Sequence, residues 1–426
     1  MRAALLVRMG EGDAARALVQ DVDTGNYTPD LTQAALDAYV ATADFTGLCP
    51  AVALQGNARK DGQWRVFSAI CQAFRGEGNA ALSQLDRSMS AKDLAQIDVL
   101  LAQKYAGAAG KARRAVKIEW DKVGDMTPLR FALTIAVGLQ PPESLMRNAP
   151  ARLDAMAATA PMAGLPMRAA AADRAAAMGI LSSAAMIDLY SQIYAQSDIG
   201  APWSERAGLL RTAYVGDSAL DRLAAIKALW EGAPGETRHY ARQVLTAHAA
   251  ARLPGSKDYA GDSAALVASM LAAGLDGNAL RWAPLAEVGS ETWGLLALAA
   301  PQRATPVEAG AVSSFSGNDD SEGSRKTAFL LAGLAGLGRI APETTRELGQ
   351  KLDVDLFTPT RWTRAIDQAA EVNNPALVAL LAGMGMQGTS WQKMTPRHLF
   401  HIVSALNRVG FEAEARMIAA EAVARG

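Results

Sequence analysis

Arg8-Met9-Gly10-Glu11-Gly12-Asp13-Ala14-Ala15 returns later in the chain, little changed, as Phe74-Arg75-Gly76-Glu77-Gly78-Asn79-Ala80-Ala81. An apolar helical run precedes each copy. Another follows it, marked by Leu18 and Val22 after the first and by Leu82 and Leu85 after the second. The first glycine of each copy reads as a left-handed residue that ends a helix. Asp13 or Asn79 is then expected to cap the next helix. The C-terminus repeats the plan: Leu399, Ile402, Val403 and Leu406 share one face, Gly410 breaks it, and Glu412–Arg425 resumes. A looser version runs through Leu266–Leu271, Gly274 and Asn278–Leu285. A helix, a glycine turn and a second helix, recurring along a chain, mark stacked hairpins that bury their faces on one another.

Composition agrees. The 426-residue chain is 50% apolar and 20% charged, but only 6% aromatic. Alanine supplies much of the apolar share, and alternating runs of Val, Ile, Thr or Tyr are nearly missing. Alanine is the strongest helix former, whereas strands favour β-branched and aromatic residues. The expected fold class is therefore all-α, an irregular right-handed α-solenoid of antiparallel helix hairpins.

The apolar-x-x-apolar-Ala helix, the glycine turn and the Ala-rich second helix resemble the tetratricopeptide class of helix–turn–helix repeats. The resemblance is architectural and covers the two ends of the chain best. The full 34-residue consensus of that class is absent. What it implies is a TPR-like superhelix that binds another protein along a concave surface.

Further punctuation sets the organisation. Tyr214-Val215-Gly216-Asp217-Ser218-Ala219-Leu220 is echoed by Tyr259-Ala260-Gly261-Asp262-Ser263-Ala264-Ala265, a spacing that suits a two-helix unit. Pro141, Pro142, Pro150, Pro161, Pro166 and Pro202 cut the middle into short helices, because proline ends a helix at its predecessor. The clearest break is Pro301–Lys326, which contains Ser313-Ser314-Phe315-Ser316-Gly317-Asn318-Asp319-Asp320-Ser321-Glu322-Gly323-Ser324. Small, polar and aperiodic, it reads as a mobile loop or linker. The expected division is a hairpin array over 1–300, a linker over 301–326 and a C-terminal helical block over 327–426.

Cys49 and Cys71 are the only cysteines. Cys49-Pro50 reads as a helix start, the stretch from Gly56 to Gln63 as a turn, and Trp64 to Phe74 as a second helix. In an antiparallel hairpin folded about position 60, residues whose numbers sum to about 120 face each other, as Cys49 and Cys71 do. The expectation is a disulfide across one hairpin, set against two buried free thiols. A bridge implies an oxidising compartment such as a bacterial periplasm. Leu5–Asp23 reads as a hairpin entered midway, which raises the expectation that a leader and a first helix precede the sequence given.

Several short patterns resemble catalytic or ligand-binding motifs. Gly216–Ser218 and Gly261–Ser263 resemble the Gly-Asp-Ser signature of GDSL-type esterases, but alanine follows and helical segments flank both copies, so helix capping is the better account. Glu143-Ser144 resembles the Glu-Ser pair of lytic transglycosylases, without the Gly-Leu-Met-Gln segment that follows there. An acidic residue in a first helical turn explains Glu143. His398 and His401 stand one helical turn apart and could share a metal, yet no third ligand is near in sequence. Asp319, Asp320 and Glu322 lack calcium-loop spacing. Gly333-x-x-Gly336-x-Gly338 reverses the dinucleotide fingerprint and reads as close helix packing. Gly107-Ala-Ala-Gly110-Lys111 lacks the phosphate-loop spacing. The eight scattered tryptophans read as core anchors.

The net charge of −1 provides no field for a phosphate backbone. The basic cluster Lys111, Arg113, Arg114 and Lys117 sits at helical spacing and reads as a solvated helix face. No run of about 18 apolar residues suggests a transmembrane helix. The functional expectation is a non-catalytic scaffold or adaptor with a protein partner, no cofactor, no metal and no nucleic acid. The alternatives are the helical accessory part of an envelope enzyme, such as the superhelical region of a lytic transglycosylase, or a structural subunit of an envelope assembly.

Overall fold

The computed structural model describes residues 2–56, 59–91, 94–109, 115–147, 149–301, 305–388 and 390–426. The described residues form 25 α-helices and short 3-10 turns, with no strand among them, and the helices pack in neighbouring pairs. The chain divides into two compact units, Met1–Leu181 with Asp188–Trp203, and Ser182–Ile187 with Ser204–Gly426.

The first unit holds α1 (Arg2–Met9), α2 (Gly12–Gln20), α3 (Pro29–Ala41), α4 (Cys49–Gln55), α5 (Gly62–Phe74) and α6 (Gly78–Ala91). It continues through α7 (Gln96–Ala109), α8 (Pro128–Ala136), α9 (Glu143–Arg147), α10 (Arg152–Thr159) and α11 (Leu165–Ala177). Helix α1 pairs with α2, α5 with α6, α6 with α7, and α10 with α11. Gly10 at φ +87° and Gly76 at φ +92° make the two expected turns. Asp13 and Asn79, however, do not cap the helices that follow. Only one residue separates the left-handed glycine from the new helix, so α2 starts at Gly12 and α6 at Gly78, and both polar residues fall inside the first turn. Caps with hydrogen-bonding side chains appear elsewhere, before proline. Thr28 accepts from the Leu31 amide at 3.3 Å ahead of Pro29, and Thr127 from the Arg130 amide at 3.2 Å ahead of Pro128. The threonine satisfies an orphan N–H while proline occupies a position whose N–H has no partner to lose.

Phe45, Phe67 and Tyr105 close the core of this unit, with Phe45 at 5.3 Å from Phe67 and 5.4 Å from Tyr105 between ring centroids. Between α7 and α8, the buried Arg130 guanidinium donates to both Asp98 oxygens, at 2.8 and 3.1 Å, and to Asp125 Oδ1 at 2.8 Å. A buried ion pair needs this degree of satisfaction to offset its desolvation.

Helix α12 (Ser183–Ala195) contributes residues to both units. The second unit continues with α13 (Trp203–Val215), α14 (Ala219–Glu231), α15 (Glu236–Ala250), α16 (Ser263–Leu271), α17 (Asp276–Ala279) and α18 (Glu291–Ala299). Then come α19 (Ala309–Gly317), α20 (Arg325–Gly336), α21 (Pro342–Lys351), α22 (Arg361–Glu371), α23 (Pro375–Gly385), α24 (Pro396–Arg408) and α25 (Glu412–Arg425). One continuous apolar core runs from Ala213 to Val423. The apolar α18 is largely enclosed, and two buried arginines serve its last carbonyls. Arg339 donates to Ala297 O at 2.7 Å, to Leu298 O at 2.8 Å and to Ala300 O, while Arg416 donates to Ala299 O. Cations at a helix C-terminus also suit its dipole.

The expected division into 1–300, linker 301–326 and block 327–426 differs from this partition. Residues 204–426 form one unit, and the Ser/Gly-rich stretch contains α19, whose Val312 and Phe315 are buried. Gly294 admits the Phe315 ring, since a Cβ there would lie 2.6 Å from it. The polar residues that suggested mobility are used as local ties. Asp319 accepts from the Ser321 amide and hydroxyl at 2.9 and 2.6 Å, and from the Thr327 amide and hydroxyl at 2.8 and 2.6 Å. Burial opposes ionisation of Asp319, but these four donors outweigh it and hold the carboxyl below the usual range. Residues 302–304 lie outside the described residues.

Candidate functional site

Two features of the second unit stand out. The first is the outer face of α23. Asn374 accepts from the Leu377 amide at 3.1 Å and Pro375 follows it, so the helix starts on the same cap-proline device as α3 and α8. Only Val378 and Ala382 on α23 are buried. Leu377, Leu380 and Met384 are 41%, 57% and 64% exposed, and Val372, just before the helix, is 68% exposed. Positions 377, 380 and 384 line one stripe of a helix. The small Ala376, Ala379 and Gly383 are exposed beside them. No charged residue occurs between Val372 and Gln392. An exposed helix ordinarily turns a polar face outward, so this is an apolar surface without a partner among the described residues.

The second is a cavity of about 160 Å³ where α15, α16, α18 and α25 meet. Leu271, Leu295, Met417 and Ala420 form its apolar wall. Its polar side begins with Tyr240 and Gln243 on α15, and Glu236, spaced to share the same face of that helix, stands outside the lining. From α25, Arg425 bonds Glu236 at 3.0 Å and also pairs with Glu421, one turn back on its own helix. The Arg425 guanidinium carbon stands 4.2 Å from the Tyr240 ring centroid. Glu421 further accepts from Tyr240 Oη and from Trp391 Nε1, each at 3.3 Å. Burial, reinforced by the Glu421 charge, pushes the Tyr240 phenol well above the ordinary tyrosine range, so it stays protonated.

The sequence-derived candidates lie elsewhere. Cys49 and Cys71 form the expected disulfide between α4 and α5, with Cα atoms 5.5 Å apart. The surrounding hairpin is as anticipated: Asp61 caps α5 through the Trp64 amide at 3.0 Å, and the Trp64 indole N–H reaches Gly56 O at 3.1 Å. Ser218 caps α14 in a reciprocal box with Asp221. The second Gly-Asp-Ser copy is not a side-chain cap. Asp262 pairs with Lys227 at 2.8 Å, and the buried Ser263 bonds Thr292 at 2.7 Å. Nor does the Tyr214/Tyr259 echo reflect a repeated structure, since Tyr214 ends a helix and Tyr259 sits at a kink in a 3-10 turn. Glu143 starts the short α9 and is exposed.

His398 and His401 turn to different partners. His398 Nδ1 lies 2.7 Å from Thr395 Oγ1, and His401 Nδ1 lies 2.8 Å from Asp367 Oδ2. No group of three or more His, Cys, Asp or Glu converges on a metal position among the described residues. The glycines of α20 are packing residues: Cβ atoms at Gly333 and Gly336 would lie 2.9 Å from Leu298 and Val403 respectively, while Gly338 turns the chain at φ +67°. Trp64, Trp230, Trp282 and Trp391 are buried anchors. Of the basic cluster, Lys111, Arg113 and Arg114 fall outside the described residues; Lys117 lies in a non-helical stretch and pairs with Glu119 at 2.6 Å. No helix among the described residues is long and apolar enough to cross a membrane.

One polar pair escaped sequence reasoning. Ser183 Oγ lies 3.0 Å from His248 Nδ1, across 65 residues of chain. The serine is buried and the histidine has no carboxylate partner among the described residues, so a nucleophile–base–orienter chain is not assembled. Both functional features were missed as well. A signal for α23 was present in the long uncharged stretch after Glu371. The cavity had none, because its walls come from helices distant in sequence. No protein-family model matches the chain, and neither a curated protein nor a solved structure matches it.

Proposed function

We propose that the chain is a non-catalytic protein-binding scaffold of the bacterial cell envelope, a solenoid-like stack of hairpins that docks a partner on the outer face of α23. The observation that carries this reading is the uncharged stripe of Leu377, Leu380 and Met384, left exposed on a capped helix. Fully burying one such side chain is worth roughly 1.5–3 kcal/mol. These are already part-buried, so the three together supply on the order of 3 kcal/mol. That suits an anchor within a larger interface. The Cys49–Cys71 bond supports an oxidising compartment, of which the periplasm is one. The test is affinity capture from host envelope extracts with the full chain and with its Leu380→Glu/Met384→Glu variant. The reading expects proteins retained by the wild type to be lost from the variant. An identical set on both removes α23 from the docking role.

A further inference from the structure

Gln243 is only 8% exposed, yet its carboxamide makes no hydrogen bond among the described residues. Its backbone carbonyl is well used, accepting from Thr246 at 3.3 Å and from Ser269 at 2.7 Å. The side chain instead lines the cavity between α15 and α25. Its amide atoms keep access to the cavity space, so their bonding capacity is left to whatever fills the cavity. We propose that this cavity binds a neutral, amide-bearing apolar group the size of one branched aliphatic or single-ring side chain, held by hydrogen bonds to the Gln243 carboxamide.

Size, charge and hydrogen-bond pattern select that class. An apolar cavity of about 150 Å³ accepts a benzene ring, and this one measures about 160 Å³. Leu271, Leu295, Met417 and Ala420 offer such a group apolar contact. The glutamine offers one acceptor and a two-proton donor, which another amide complements in a single plane. A carboxylate would meet Glu421 in the lining, and the one lining arginine, Arg425, is already engaged by Glu421 and Glu236. An ammonium would find Glu421 already bound by Arg425, Tyr240 and Trp391, and could use only the acceptor half of the glutamine. Tyr240 stays a neutral phenol whose hydroxyl is given to Glu421, so it adds no charge to the cavity. The chemistry can come from a leucine-like residue of a peptide or from a free small amide.

The full chain, labelled with ¹³C-methyl methionine, reports directly, since Met417 lines the cavity. Its resonance is the one lost in Met417→Leu. N-acetyl-leucinamide is expected to shift this methyl and saturate, with N-acetyl-leucine and isopentylamine at least about tenfold weaker. Gln243→Leu keeps the apolar hole, so toluene still shifts the methyl while the amide weakens by about tenfold or more. Ala424→Leu, on the half-exposed side of α25, narrows the cavity and is expected to weaken every probe. N-acetyl-Ala-Leu-Ala-amide separates the sources: tighter binding than the single residue supports a peptide, and weaker binding supports a free small amide. The proposal is overturned if no amide shifts Met417, if a charged probe binds as tightly, or if Gln243→Leu leaves amide binding unchanged. Failure here leaves the α23 capture experiment untouched, because Leu380 and Met384 do not line the cavity.

Discussion

Removing the Cys49–Cys71 bond is a sharp test of how the first unit is held together. The bridge closes a loop with a sequence separation of 22. In the chain-entropy account, opening a loop of that length returns about 11 cal/mol/K to the unfolded ensemble, or about 3.4 kcal/mol at 25 °C. That corresponds to about a 300-fold change in an unfolding equilibrium. The effect should concentrate on α4 and α5, which the bond joins and which carry the buried Trp64, Phe67 and Ile70. Hydrogen exchange read by mass spectrometry is the assay, on oxidised protein, on protein reduced under native conditions, and on Cys49→Ala/Cys71→Ala. Amides of residues 64–74 should lose protection by up to about 300-fold in both altered forms. The alanine variant should lose somewhat more, since the buried Cys71 sulfur is also removed from the core. Residues 325–336 lie in the other unit, which has no cysteine, and should keep their protection. A fall below about threefold at residues 64–74 would refute the loop-entropy argument for this hairpin. An equal fall at residues 325–336 would refute its local character.

Three other perturbations test the packing. Asp98→Ala removes the two buried bonds to Arg130 and leaves its guanidinium with Asp125 alone, so it should cost about 3 kcal/mol by urea unfolding, with Asp98→Leu/Arg130→Met recovering much of it; a cost under about 1 kcal/mol would mean the pair contributes little. Gly336→Ala places a Cβ 2.9 Å from Val403 and 3.0 Å from the Phe400 carbonyl, so overpacking should cost about 1–3 kcal/mol and lower the melting temperature, and an unchanged melt would refute the close approach of α20 and α24. Tyr214 has a buried hydroxyl with no hydrogen-bond partner, and burial, partly opposed by Arg252, pushes its phenol up to about 12. A folded-state value raised above the unfolded one gives stability that is intact below pH about 10 and lost as pH rises toward 12. Tyr214→Phe should therefore leave stability at pH 7 unchanged or improved and flatten the alkaline decline in urea midpoint; a clear loss at pH 7 would show that the hydroxyl is satisfied.

Periodicity within one or two helices could be read from the chain, whereas contacts made across the chain could not. The hairpins at residues 8–15, 74–81 and 399–425 were legible because a left-handed glycine between apolar runs is a local signal. The disulfide was legible because a hairpin imposes one register, and Cys49 and Cys71 stand opposite within it. The helix starts at Gly12 and Gly78 were misassigned by a residue or two, since Asp and Asn suit a first turn as well as a cap. The stretch after Pro301 was misjudged for a different reason. Ser, Asn and Asp signal a loop when their hydrogen bonds go to water, but Asp319 spends its acceptors on Ser321 and Thr327, and Phe315 finds a slot at Gly294. Neither tie can be inferred without the fold. The cavity was hidden for the same reason: Gln243 is an ordinary mid-helix glutamine until α25 is laid beside it.

The disposition of polar groups also bears on the docking proposal for α23. Here the carboxylates beside the cavity, Glu236 and Glu421, are bound to Arg425, and Glu421 also takes the Tyr240 and Trp391 protons. Ser183 is buried and bonded to His248. Arg339 and Arg416 are committed to the carbonyls that end α18. These charged residues are tied into the framework, while α23 carries none and stays exposed. A chain that supplies two arginines to one helix end has no shortage of polar residues with which to cover a surface helix. Substituting Leu380 and Met384 by glutamate should accordingly cost the isolated protein little stability, within about 0.5 kcal/mol, because those side chains pack on little. If the double variant instead unfolds or loses several kcal/mol, the face belongs to the protein's own core, and the docking argument for α23 fails with it.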